Sequence, residues 1–207
     1  MTASAAKHDL RIYLQDARDA LLWKLEGLSE YDVRRPMTPT GTNLLGLVKH
    51  VTGAEALYFG ATFGRPFEAP GLWVTGDAEP NADLWAGPEE SREQITGLYR
   101  AAWAHSDETI EALDLEATGR VPFGKRAELS LHRALVHMTA ETQRHAGHAD
   151  IVRELVDGAT GLRAGEPYVP AEGPAWWDAH RTRLEAAAHE AALRAPAPGL
   201  GGSGRNP

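Results

Sequence analysis

Four polar side chains recur along one face of a single helical stretch: His137, Glu141, His145 and His148. Their offsets are i, i+4, i+8 and i+11. At about 100° per residue they fall within roughly 80° of one another. Leu131, Ala134 and Leu135 precede them on that face, and Ile151, Val152 and Leu155 follow. The polar group therefore interrupts an apolar stripe. Burying a carboxylate with several imidazoles is costly unless they are paired or bound to something. A divalent metal is the most economical explanation.

Glu141 and His145 are one turn apart, close enough to share an ion. A helical pair needs a third ligand from elsewhere, and His50 is the best candidate. It lies in the largely apolar row Asn43, Leu47, His50, Ala54, Leu57, which points it inward. Two histidines and one carboxylate form a typical catalytic zinc set with open positions. The same donors accept nickel or iron. The spacing also suits a hydrogen-bonded pair without metal, on the surface or in the core. His148 reads as a ligand, as a group that orients a ligand or moves a proton, or as structural. His137 reads as a hydrogen-bonded core histidine. His8, His105, His132, His180 and His189 read as surface residues. Arg144 suits a substrate carboxylate or a surface salt bridge. Tyr58, Trp73 and Trp85 are candidates for a pocket mouth, or for ordinary packing.

Other chemistries are excluded by what is missing. The 207 residues contain no cysteine, so there is no thiolate zinc finger and no cysteine nucleophile. Any thiol chemistry needs a thiol cosubstrate. No P-loop, G-x-G-x-x-G or G-x-S-x-G pattern occurs. The net charge of -8 argues against nucleic acid and against anionic membranes as partners. No apolar run approaches the roughly 20 residues of a membrane span. Residues 1–7 carry no apolar signal segment, so a cytoplasmic location is expected.

The elements that must position these groups read as helices. Residues 9–28 carry Leu10, Leu14, Ala17, Leu21, Leu25 and Leu28 at steps of three and four. A turn with Pro36, Pro39 and Gly41 follows. Thr42 is placed to cap a second helix over residues 43–62. A long Gly/Pro-rich loop carries Trp73 and Trp85. Pro88, Glu89 and Glu90 suit the start of a third helix with Ile95, Tyr99, Ala102, Ser106, Thr109 and Leu113 along its packing face. The polar-faced fourth helix spans residues 129–156, and Gly158 suits its left-handed cap. A final helix spans residues 176–193, its Trp176–Trp177 pair expected to pack on the bundle. No strand is expected. Residues 1–194 read as one all-α four-helix-bundle domain with an additional C-terminal helix, and residues 195–207 as a disordered Pro/Gly-rich tail.

The stretch Thr40-Gly41-Thr42-Asn43-Leu44-Leu45-Gly46-Leu47-Val48-Lys49-His50 closely resembles the DinB-like superfamily. So do Glu141-Thr142-Gln143-Arg144-His145-Ala146-Gly147-His148-Ala149-Asp150-Ile151 and Trp176-Trp177. The match is closest to the mycothiol-dependent branch, which includes maleylpyruvate isomerase and mycothiol S-transferases, and runs over about residues 10–188. The resemblance implies a bundle with a central divalent metal, held by His50 from the second helix and by Glu141 and His145 from the fourth. Many members have His-x-x-x-His there; Glu141 stands at the first position, as in the isomerase branch. It also implies a bound metal that turns mycothiol, or a related low-molecular-weight thiol, into a thiolate for attack on a small electrophile. His148 and Arg144 then serve proton transfer and substrate orientation. Two other readings of the scaffold are a metal-dependent hydrolase and a non-catalytic metal-binding stress protein. Bundles of this kind often pair through helix faces, which favours a homodimer only modestly, and the sequence does not fix the oligomeric state.

Overall fold

The computed structural model describes residues 3–69, 78–122 and 128–195. The chain divides into two compact units, residues 1–168 and 169–207. The first is an all-α bundle, as expected. Its long helices are α1 (Ala3–Trp23), α3 (Leu44–Glu55), α4 (Arg92–Ala112) and α5 (Leu131–Asp157). A short helix, α2 (Glu30–Arg34), precedes α3, so the second and fourth helices of the sequence reading are α3 and α5. α1 packs along α5, α3 along α4, and α3 also meets α5.

The core is where the amphipathic periodicity places it. Leu14 and Leu21 of α1, Leu45, Val48 and Val51 of α3, Ile95 and Ile110 of α4, and Leu131, Leu135 and Met138 of α5 are all buried. Among the described residues, charges enter this interior as partners. Arg18 of α1 meets Glu55 of α3 and Asp107 of α4. Lys24, just past α1, meets Asp150 of α5.

The helix ends differ from the sequence reading where local hydrogen bonds compete. α1 stops at Trp23 rather than at residue 28, because residues 24–27 turn and Gly27 takes a left-handed φ of 73°. Asn43, not Thr42, caps α3: its Oδ1 accepts from the Gly46 N–H at 2.8 Å. α3 ends at Glu55 and continues as a π-helical turn, Ala56–Gly60, then a 3₁₀ turn, Ala61–Phe63. Ser91 caps α4 in a capping box with Gln94, so Pro88, Glu89 and Glu90 lie ahead of the helix. Two three-residue strands, β1 (Thr118–Arg120) and β2 (Glu128–Ser130), pair antiparallel with Gly119 opposite Leu129. They are too short to show an alternating pattern in the sequence. β2 leads directly into α5, whose cap is Ser130. Gly158 ends α5 with φ 79°, as expected.

The second unit contains α6 (Pro174–Arg194), which begins with proline in its first turn. None of its residues is buried. Trp176 and Trp177 meet edge-on with ring centroids 4.8 Å apart, and His180 stacks on Trp176 at 5.0 Å. Trp73 and the tail beyond Ala195 lie outside the described residues.

Candidate metal centre

α5 buries Leu131, Leu135, Met138, Thr142, Ala146, Ala149 and Val152, a repeat close to 3.5 residues. His137, Glu141, His145 and His148 occupy the row one residue earlier. They flank the buried stripe instead of interrupting it. The same row continues into Ile151 and Leu155, which are 58% and 62% exposed. The expectation that these two prolong the buried face is thus corrected. Placed at the margin, the polar row borders the core on one side and solvent on the other.

α3 brings His50 to this margin. His50 Nε2 lies 3.5 Å from Glu141 Oε1, and His145 Nε2 lies 3.0 Å from the same oxygen. The imidazole centroids are 4.7 Å apart, with planes at 66°. One donor atom from each of His50, Glu141 and His145 can be chosen so that all lie within 4.8 Å of one another. The three candidate ligands of the sequence reading, two of them on α5 and one 91 residues away on α3, are therefore side by side.

Each group responds to its neighbours. Burial pushes the Glu141 carboxyl up, but hydrogen bonds and charge from His145 and His50 outweigh it and hold the carboxyl below its ordinary value. Burial pulls the His145 imidazole down, His50 and His148 add to that, and Glu141 only partly offsets it. The site thus favours an anionic carboxylate beside a neutral imidazole, the protonation states a cation requires of its ligands.

The donor set also fits a cation by its proton inventory. His50 Nδ1 is 2.6 Å from Asp83 Oδ2, a carboxylate the sequence reading did not single out. A neutral ring that donates from Nδ1 to a carboxylate presents a lone pair at Nε2. In the neutral ring that lone pair faces the Glu141 oxygen, also an acceptor, an arrangement that suits a cation between them. His145 Nδ1 is buried with no hydrogen-bond partner. Side chains of His50 and Glu141 remain 25% and 28% exposed, so a metal held there has an open flank. His₂Glu is a donor set for zinc and for its divalent neighbours.

The other expected residues spread around this centre. His148 is exposed on α5, its ring 5.3 Å from that of His145. Arg144 is also exposed. His137 is half-buried against Tyr58 of the π-helical turn, with centroids 4.4 Å apart. Trp85 is 53% exposed, next to a cavity of about 500 Å³ also lined by Asn43, Leu47 and Leu84. His105 is no free surface residue: its Nε2 donates to the Arg65 carbonyl at 2.7 Å and its ring meets Phe67. Asp83 was missed because no helical spacing connects it to His50, and its loop has no periodicity to read.

The helical bundle is the fold implied by the sequence resemblance. A family model described as Mycothiol-S-transferase matches residues 9–158, which contain all the bundle elements beyond the first turns of α1 and all the cluster residues. The chain belongs to the mycothiol-S-transferase family, a DinB-like family.

Proposed function

We propose that the protein is a metal-dependent thiol S-transferase or isomerase, with His50, Glu141 and His145 as its metal ligands. The observation that carries this reading is the convergence of these donors from two helices on one partly open point, within 4.8 Å. Zinc is the first choice, nickel or iron the next. When bound, the divalent ion supplies Lewis acidity that lowers a thiol's pKa toward neutrality. The cosubstrate is mycothiol or a related small thiol, in keeping with the family and with the lack of any protein thiol.

His148 stands exposed beside His145, and we assign it the thiol proton, which it passes to solvent. Arg144 lies three residues after Glu141 and orients an anionic group of the substrate. The sulfur electron pair then forms a bond to an electrophilic carbon. A displaced group leaves with its own bonding pair, or an epoxide oxygen keeps the electron pair of its broken C–O bond and takes a proton from solvent.

The test is metal content of the purified protein by mass spectrometry, beside His50→Ala, Glu141→Ala and His145→Ala, followed by thiol consumption with mycothiol and a panel of electrophiles. About one metal per chain, lost in each folded variant, with metal-dependent thiol transfer, supports the proposal. Hydrolysis of esters or amides without thiol points to the hydrolase reading. Bound metal with neither activity points to a non-catalytic metal-binding protein.

A further inference from the structure

One row of α3 serves as a seat for residues 81–85. Asn43 donates from Nδ2 to the Leu84 carbonyl at 3.1 Å while its Oδ1 caps the helix. Three residues on, Gly46 faces the same carbonyl. A Cβ there would come within 1.9 Å of the Leu84 oxygen, so no side chain fits unless the loop moves. Lys49 reaches over to the Trp85 carbonyl at 2.9 Å and pairs with Glu90 at 2.8 Å. The loop turns through Asn81 at φ 64°, a left-handed conformation that asparagine tolerates, and Leu84 N–H closes it on the Asn81 carbonyl at 2.9 Å. His50 stands at the end of this row, and the carboxylate delivered to it is Asp83, at 2.6 Å from Nδ1.

We propose that Asp83 is a positioning residue for His50. It holds the ring rotation and keeps the proton on Nδ1, so that Nε2 presents its lone pair to the space shared with Glu141 and His145. The seat of Asn43, Gly46 and Lys49 exists to deliver that carboxylate. The inference rests on the metal reading above and deepens it. Anchoring of the loop alone would need only the contacts to the Leu84 and Trp85 carbonyls, whereas the Asp83 side chain is spent on a candidate ligand. His145 gives the internal contrast: its Nδ1 has no partner. The two imidazoles are therefore unequal: a carboxylate fixes Nδ1 of His50, whereas no partner fixes Nδ1 of His145, whose Nε2 contacts Glu141 at 3.0 Å. Groups that orient a ligand in this way are worth about 10- to 100-fold in metal affinity.

The test compares wild type, Asp83→Ala, Asp83→Asn and Gly46→Ala by two measurements. The first is the His50 tautomer in the metal-free proteins, by nitrogen-15 NMR of the imidazole. The second is titration with Co(II), read by its visible absorption, with zinc competition for affinity. We expect the Nδ1–H tautomer in wild type and a mixture in Asp83→Ala. We expect Co(II) affinity to fall about 10- to 100-fold in Asp83→Ala. Asp83→Asn, which still accepts from Nδ1–H but lacks the charge, should recover part of that loss and secures the comparison if the alanine variant folds poorly. Gly46→Ala should weaken Co(II) with Asp83 still present. Wild-type binding with unchanged tautomer and affinity in the Asp83 variants overturns the inference and leaves the metal reading intact. No Co(II) or zinc binding by wild type overturns both, even if the tautomer depends on Asp83.

Discussion

Arg18 and Glu55 close a two-pronged ion pair inside the bundle, with Nε and Nη2 of the guanidinium each donating to a different carboxylate oxygen at 2.8 Å. Burial alone lowers the Arg18 pKa, but Glu55 and Asp107 lift it above its ordinary value, while burial pushes the Glu55 carboxyl up and Arg18 only partly offsets that. It ties α1 to α3. Removing Glu55 leaves the buried Arg18 guanidinium with the Asp107 carboxylate but without its two-pronged partner. Glu55→Ala should therefore destabilise the fold by about 3–5 kcal/mol, while Arg18→Met with Glu55→Leu should cost far less. Urea unfolding of the three proteins checks this. Equal losses in the single and double variants would show that the pair's worth is packing, not charge.

A bound cation stabilises the folded chain by mass action. At a hundredfold excess over its dissociation constant, metal should contribute about 2.7 kcal/mol. For a chain of this size that is roughly 5–10 °C, at about 2–4 °C per kcal/mol. Chelation should lower the melting temperature of wild type by that amount and leave Glu141→Ala unmoved. Scanning calorimetry with and without chelator makes the comparison. An equal response from both proteins would place the metal elsewhere.

Asp157 closes α5 by accepting from Arg153, whose Nη1 also donates to the carbonyls of Lys24 and Glu26 after α1. Burial pushes the Asp157 carboxyl up, but Arg153 and the Ala159 N–H outweigh it and hold the carboxyl below its ordinary value. The folded state therefore binds its proton less readily than the unfolded chain. Its stabilisation is fully present above the unfolded value near about pH 4 and is lost as pH falls through the folded value. Asp157→Asn should cost about 0.5–1 kcal/mol at neutral pH, given the partial exposure of the pair. The gap between the two unfolding curves should close below about pH 4. A gap unchanged down to pH 2 would assign the effect to helix capping by a neutral side chain.

Ser91 opens α4 with a reciprocal cap, its Oγ accepting from Gln94 N–H at 3.1 Å and Gln94 Oε1 accepting from Ser91 N–H at 2.9 Å. Ser91→Ala should lower stability by about 1 kcal/mol without changing metal content. Thermal melts and metal analysis on the same sample separate the two effects. A loss of metal with this substitution would mean that the start of α4 supports the centre through the Glu90–Lys49 pair.

Membership of the family and the helical class were legible because both rest on local pattern. Leu14, Leu21, Val48, Val51, Leu131 and Leu135 recur at helical spacing and are buried as that spacing requires. Glu141 and His145 were legible as a pair because a helix fixes neighbours one turn apart. α2 and the β1–β2 ribbon were not, since elements of five and three residues have no period to detect. Among the described residues, no helix is long and apolar enough to cross a membrane, in agreement with the hydropathy of the chain.

The amino-acid sequence by itself determined the bundle helices and the polar row on α5, and it singled out His50, which the fold sets beside that row. Each is set by side-chain type and a fixed repeat of about 3.6 residues. Only the tertiary structure decided which side of the buried stripe that row occupies, because a rotation of α5 by one residue is settled by how α1 and α3 pack against it. Only the tertiary structure brought Asp83 to His50. That contact depends on a loop with no periodicity, seated where Gly46 leaves room for a carbonyl, and no spacing in the chain encodes it.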